Sequence, residues 1–220
     1  GADSLAANTT GAENVAVGKD ALAANTTADN NTAVGGCALL VNTTGTRNTG
    51  LGHRALDANT DGNCNTAVGM TSLSANTTGD QNTAIGTEAL SLNTTANSNS
   101  ALGYCALKAN TTGAANTAVG SNALDSNTTG YANVAIGCDA MQTNTVGFYN
   151  VAVGENSLEL NDAGDCNTAI GVGALRANTT NGNVAVGFNA AKCNTGGGYN
   201  TAVGNLALFT NVSASHNTAI

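Results

Sequence analysis

Small apolar and polar residues follow one another along this chain in a fixed order. The phrase Asn31-Thr32-Ala33-Val34-Gly35 returns with its Asn at Asn14, Asn48, Asn65, Asn82, Asn99, Asn116, Asn133, Asn150, Asn167, Asn183, Asn200 and Asn217, a step of 17 residues with a single step of 16. Self-similarity at a fixed period marks a repeat architecture. With that Asn as site 1, the unit reads Asn, Thr or Val, Ala, Val/Ile/Leu, Gly, two variable sites, Ala, Leu, two looser sites, Asn-Thr-Thr-Gly and two more variable sites. Sites 2 and 4 are β-branched or aliphatic and flank an Ala, a period of two that predicts a short strand. Asn, Thr and Gly are weak in helix interiors, and the Gly residues at sites 5 and 15 predict bends. The pattern therefore predicts an all-β chain, a parallel β-solenoid of about thirteen 17-residue coils running through residues 1–220 as one repetitive segment. At a strand spacing of roughly 4.8 Å, the twelve steps from Asn14 to Asn217 would span about 58 Å. Both ends fall inside a repeat, Gly1 at site 5 and Ile220 at site 4, so the segment is expected to be incomplete at both.

Stacking of like on like explains the two invariant Asn positions. A carboxamide at a corner can donate to one coil and accept from the next, which offsets the cost of burying it. Ladders are expected at site 1 (Asn14, Asn31, Asn65, Asn82) and at site 12 (Asn25, Asn42, Asn76, Asn93). Site 3 is Ala in every unit but one, where Gly50 stands. If sites 2 and 4 face the core, this Ala faces outward, and its constancy predicts close packing of Ala33, Ala67, Ala84 and Ala118 against other chains, met by a closed homotrimer. The competing arrangement puts Ala inside a narrow roll and sites 2 and 4 outside; the exposed apolar column this would create at site 4 weighs against it.

Composition sharpens the exclusions. Aromatics are 3% of residues, Trp and Pro are absent, and charged residues are 9% with a net charge of −8. Phosphate binding needs clustered Lys and Arg, so nucleic acid is excluded as a partner. An apolar fraction of 41% separates the chain from disordered sequences. No apolar run approaches the length of a membrane-spanning helix.

The wording NTAVG…AL…NTTG, almost uninterrupted from Asn31 to Gly45, resembles the repeats of phage tail-fibre proteins. It is more distantly similar to the head repeats of trimeric autotransporter adhesins, to which Asn99-Ser100-Ala101-Leu102-Gly103 comes closest. The resemblance implies a left-handed, trimeric β-roll displayed on a virion or bacterial cell surface. Its task would be host attachment, as a fibre or shaft holding a receptor-binding tip. Partners would be the chain itself, other fibre, virion or surface components and a host glycan or receptor.

Candidate chemistry would stand out as departures from the repeat. His53 and His216 lie in distant coils without a nucleophile and carboxylate around them, and Asp20, Glu88, Asp139 and Glu155 fall on variable sites 6 and 7 as solubilising charge. No catalytic residue, metal ligand or cofactor is expected, and the chain is read as a non-enzyme. Cys37 and Cys105 share site 7 but lie four coils apart, about 19 Å on the strand spacing, too far for a bridge. Cys64 and Cys166 share site 17 and are also separated by several coils; Cys138 and Cys193 stand alone at sites 6 and 11. Tyr131 and Phe148 occupy site 16 of consecutive coils with Tyr149 beside them, an expected exposed aromatic patch able to meet a sugar ring or a partner, or to pack between chains. The alternative function is an ice-binding or other ligand-binding solenoid, because Thr9, Thr26, Thr43, Thr77, Thr94, Thr111 and Thr128 form a column at site 13. Against it, the site 14 column is interrupted by Asp61, Val146, Ala163 and Gly196.

Overall fold

A computed structural model describes residues 1–220 and is all-β. Its strands are β1 Val15–Val17, β2 Thr32–Val34, β3 Thr49–Leu51, β4 Thr66–Val68, β5 Thr83–Ile85, β6 Ser100–Leu102, β7 Thr117–Val119, β8 Val134–Ile136, β9 Val151–Val153, β10 Thr168–Ile170, β11 Val184–Val186, β12 Thr201–Val203 and β13 Thr218–Ala219. The chain forms two compact units, residues 1–112 and 113–220. In each, successive strands pair in parallel and in sequence order, β1 to β6 in the first and β7 to β13 in the second. Register is strict: Thr66 pairs with Thr83, Ala67 with Ala84 and Val68 with Ile85. The 16-residue step keeps it too, since Ala169 still pairs with Ala185. The lost residue is the site 15 Gly, and the Thr180 carbonyl takes over as acceptor for Asn167 and Asn178. Each unit is thus a β-solenoid.

The direction of the strand faces corrects the expectation for site 3. Ala33, Ala67, Ala84 and Ala118 are fully buried within their own chain, whereas sites 2 and 4 face outward, with Val17 at 56% and Leu51 at 44% exposure. The alanines therefore contact no neighbouring chain. They line the inside of a roll so narrow that the opposite side, Ala at site 8 and Leu at site 9, already fills it: Ala38 and Leu39, and Ala89 and Leu90, have no exposure. Only a methyl fits between Leu39 and the sheet. A Cβ placed on Gly50 would sit 3.2 Å from the Ala55 carbonyl oxygen and 3.5 Å from Leu39 Cγ, a tight space that an Ala methyl occupies at the same site of the other coils.

Asn columns close the two corners of this core. At site 12 the carboxamides bond to one another as expected: Asn42 Nδ2 donates to Asn25 Oδ1 at 3.2 Å, and Asn93 Nδ2 to Asn76 Oδ1 at 2.9 Å. Site 1 works differently. There the Oδ1 accepts the backbone N–H of the next Asn, as from Asn31 to Asn14 and from Asn82 to Asn65, both at 2.9 Å, and in part of the column the expected carboxamide bond is made as well, Asn82 Nδ2 donating to Asn65 Oδ1 at 3.2 Å. The two columns meet at the site 15 carbonyl: Gly79 O accepts from Asn76 Nδ2 at 3.0 Å and from Asn65 Nδ2 at 2.7 Å. No buried side-chain polar atom lacks a partner. Burial of so many amides is tolerable only on that condition, because each orphaned group would cost about 1–3 kcal/mol.

Backbone conformation is the less expected feature. Sites 7, 9 and 17 hold non-glycine residues at φ of +49 to +62°, among them Cys37, Leu39 and Arg47. Left-handed residues of this kind cost about 1–2 kcal/mol each relative to ordinary ones. Their N–H groups explain why they persist, since each reaches an adjacent coil: Cys37 to Lys19 O, Leu39 to Ala55 O and Arg47 to Asp29 O, at 2.9, 3.0 and 3.2 Å. Site 5 is stricter still. At Gly69 φ is +133°, and a Cβ would lie 2.6 Å from the Gly86 carbonyl oxygen.

Two tests follow from this packing. The same substitution has opposite signs at neighbouring positions: Gly69→Ala lowers stability by at least about 2 kcal/mol, whereas Gly50→Ala, whose φ is ordinary and whose site is Ala elsewhere, raises it by about 0.5–1 kcal/mol. Denaturant midpoints measure both. Asn76→Asp places a carboxyl against Asn59 Oδ1 and Gly79 O, both acceptors. Its folded-state pKa is then raised above the unfolded value, so stability is retained below about pH 4 and lost as pH rises, by about 4 kcal/mol relative to wild type at neutral pH. Paired melts of variant and wild type across pH 3–8 read the difference.

Candidate functional site

Three surfaces surround the core. The first is the outer face of each strand row. Site 4 is aliphatic in every coil, and Val17, Leu51, Ile85 and Leu102 in the first unit, with Ile136 and Ile170 in the second, are 38–56% exposed. Beside it runs site 2, mostly Thr with Val at Val15, Val134, Val151 and Val184 and Ser at Ser100. The result is a stripe that is fully apolar along one column and half-polar along the other. This is the exposed column of the competing arrangement read from the sequence, Ala inside and sites 2 and 4 outside, which the preference for an outward Ala sets aside.

The second surface carries the variable sites 6, 7, 10 and 11. Its charges pair between and within coils: Lys108 Nζ lies 2.7 Å from Glu88 Oε2, Arg54 Nε 2.6 Å from Asp57 Oδ2, and Arg176 meets Glu159. The Lys108 ammonium holds the Glu88 carboxyl below the usual carboxylate range. Asp139 accepts from Asn122 and Gln142, and Asp20 meets Lys19. These acids knit adjacent coils as well as solvating them. In the first unit a shallow apolar recess forms where Ala58 and Ala75 lie between the larger Val41 and Leu92. All six cysteines are free thiols.

The third surface is the edge formed by sites 13 to 17. Thr hydroxyls at site 13 donate to the site 13 carbonyl of the following coil, from Thr9 to Thr26 O at 3.0 Å, Thr77 to Thr94 O at 3.1 Å and Thr128 to Thr145 O at 3.0 Å. Site 16 holds a further acceptor column that pattern reading treated as variable. Wherever Asp or Asn stands there, it takes the backbone N–H of the preceding coil's site 16: Asp29 from Ala12, Asp80 from Asn63, Asn97 from Asp80 and Asp165 from Phe148, at 2.7–3.0 Å. The recurrence of short acceptor side chains at that site was its signal.

In the second unit the same edge carries rings instead, and the expected patch is assembled. Tyr131 and Phe148 stack with centroids 4.9 Å apart at 8°, and Tyr149 stands edge-on to both at 5.4 Å. Tyr131 is 40% and Tyr149 56% exposed. Partial burial, then the neighbouring Tyr149, push the Tyr131 hydroxyl pKa up. Farther along, Tyr199 stacks on His216 at 5.3 Å and 9°; His216 and His53 are both exposed. No family model matches the chain, and no curated protein does.

The aromatic geometry is checked by alkaline titration. Tyr131 ionises above the ordinary tyrosine range near pH 10 in the folded protein and returns to it on unfolding. The ultraviolet difference between wild type and Tyr131→Phe isolates this group. Because the folded pKa is the raised one, the contribution of Tyr131 to stability is complete below pH 10 and declines above it.

Proposed function

We propose that the chain is a structural segment of an extracellular attachment fibre, of the tail-fibre or adhesin kind, that assembles with copies of itself as a homotrimer and carries a receptor-binding tip away from a virion or cell surface. The observation that carries this reading is the aliphatic column at site 4. An exposed apolar row on a protein surface calls for a partner, and one repeating with every coil is matched most simply by a surface of the same period. A second copy of this chain has that period. The gradient from the aliphatic site 4 to the Thr-rich site 2 favours three chains, with site 4 nearest a common axis and site 2 toward the rim, over a face-to-face pair that would bury both columns equally. Dense backbone pairing between coils supplies stiffness, and repeat number sets reach. No helix is long and apolar enough to cross a membrane.

The ice-binding alternative is weakened by the Thr column itself. Its hydroxyl donors are turned onto backbone carbonyls of the next coil, which removes the free donor row that ordered water would meet.

Light scattering tests the assembly. The expected mass is three times the 21.4 kDa of one chain, and Val68→Asp with Ile85→Asp reduces it to one chain without loss of the β-sheet circular dichroism signal. A wild-type monomer at tens of micromolar would remove the fibre reading.

A further inference from the structure

Aromatic residues are unevenly placed along the edge formed by sites 16 and 17. In the first unit those sites hold no ring; residues such as Asn63, Cys64, Asp80 and Gln81 stand there. In the second unit they hold Tyr131, Phe148, Tyr149, Tyr199 and His216. The coil needs no ring at these sites, as the first unit demonstrates, so their concentration answers to something outside the coil.

The geometry has two ring clusters with a polar stretch between. Tyr131, Phe148 and Tyr149 form the first, and Tyr199 with His216 the second. Tyr149 and Tyr199 are three coils apart, about 14 Å at the strand spacing. Between them at sites 16 and 17 lie Asp165, Cys166, Asn181 and Gly182. Asp165 Oδ1 is held by the Phe148 N–H and Asn181 Oδ1 by the Asp165 N–H, at 3.0 and 2.8 Å. That fixes both side chains and leaves the second carboxylate oxygen of Asp165 and the Asn181 NH2 for a ligand. The shortened coil lets the Tyr199 ring lie over bare backbone: a Cβ on Gly182 would come within 2.6 Å of it. Thr179, Asn181, Tyr199, Ser215 and His216 line an open groove there.

We infer that this edge of the second unit is a binding site for a linear, neutral oligosaccharide, whose C–H faces pack on the two ring clusters while its hydroxyls bond to Asp165 and Asn181. Rings with polar tips beside fixed acceptors and donors suit a ligand that is apolar on its faces and hydroxylated at its edges. The coil spacing is comparable to the length of one pyranose unit, so successive sugars meet successive coils. Asp162 and Asp165 disfavour uronate or sialate sugars by like-charge repulsion. The patch is set apart in sequence site from the aliphatic column, so a copy of the chain is not the occupant it fits. The inference deepens the attachment reading and rests on it for the source of the sugar, a surface glycan.

Saturation-transfer NMR on the full chain tests it, with maltohexaose, cellohexaose and chitohexaose as neutral probes and hexagalacturonate as the anionic one. Transfer to the C–H protons of at least one neutral hexasaccharide is expected. The triple variant Tyr131→Thr, Phe148→Asn, Tyr149→Ser weakens that binding at least tenfold; each replacement already occupies the same site in the first unit (Thr46, Asn63, Ser98), so the coil is preserved. Absence of transfer to all three neutral probes, preference for hexagalacturonate, or unchanged binding by a triple variant with wild-type circular dichroism would overturn the assignment. Mass measured on the same samples separates the two readings: an assembled protein that binds no sugar sinks this site alone, and a monomer that binds sugar sinks the fibre alone.

Discussion

Hydrogen bonding between buried asparagines is the constraint on which this structure depends. A roll lined by Ala methyls and, in most coils, one Leu buries little apolar area, and the hydrophobic term alone scales with that area. What fixes the coil is that two carboxamides per turn have nowhere else to go. Asn65 and Asn76 share the Gly79 carbonyl while each also bonds the neighbouring coil. A slip of one residue would leave every one of these groups unpaired inside the roll, so register is set by penalty as much as by attraction.

The same tightness explains the backbone. A core this thin forces the chain to turn within a few residues, and the left-handed conformations at sites 7, 9 and 17 accomplish it while aiming N–H groups along the stack. Local strain is thus exchanged for hydrogen bonds between coils. Invariance follows where both demands coincide, as at the site 5 glycines, whose φ and whose distance to the next coil's carbonyl each exclude a side chain. Sites 6, 7, 10, 16 and 17 project outward and are free to vary, and it is there that ion pairs, rings and acceptor columns appear.

Much of this was legible in the sequence, because a 17-residue period is unmistakable and Asn at sites 1 and 12 has only one economical explanation. The inside and outside of the strand were not. Alternation of Thr32, Ala33 and Val34 states that Ala faces opposite to its neighbours, but not which side is the core, and the usual rule that larger aliphatics point inward fails when Leu39 on the facing side already fills the space. The positive φ values were hidden for a different reason: Leu, Cys and Arg carry no signal for that conformation, which the tertiary stack imposes. Of the candidate patch, the meeting of Tyr131, Phe148 and Tyr149 could be read from register alone. The pairing of Tyr199 with His216 was equally available from their shared site 17, whereas the recess beneath Tyr199 depends on where the shortened coil places Gly182.

Carboxamide hydrogen exchange tests the central claim most directly. In protein labelled at Asn Nδ2 with nitrogen-15, the site 12 carboxamides within each unit, such as Asn42, Asn59, Asn76, Asn144 and Asn161, are fully buried and bonded at both protons or across coils. Their side-chain protons should survive in deuterium oxide for far longer than those of exposed Asn181. Side-chain NH2 signals that all vanish at the rate of a free amide, in a protein that retains its β-sheet spectrum, would contradict the account.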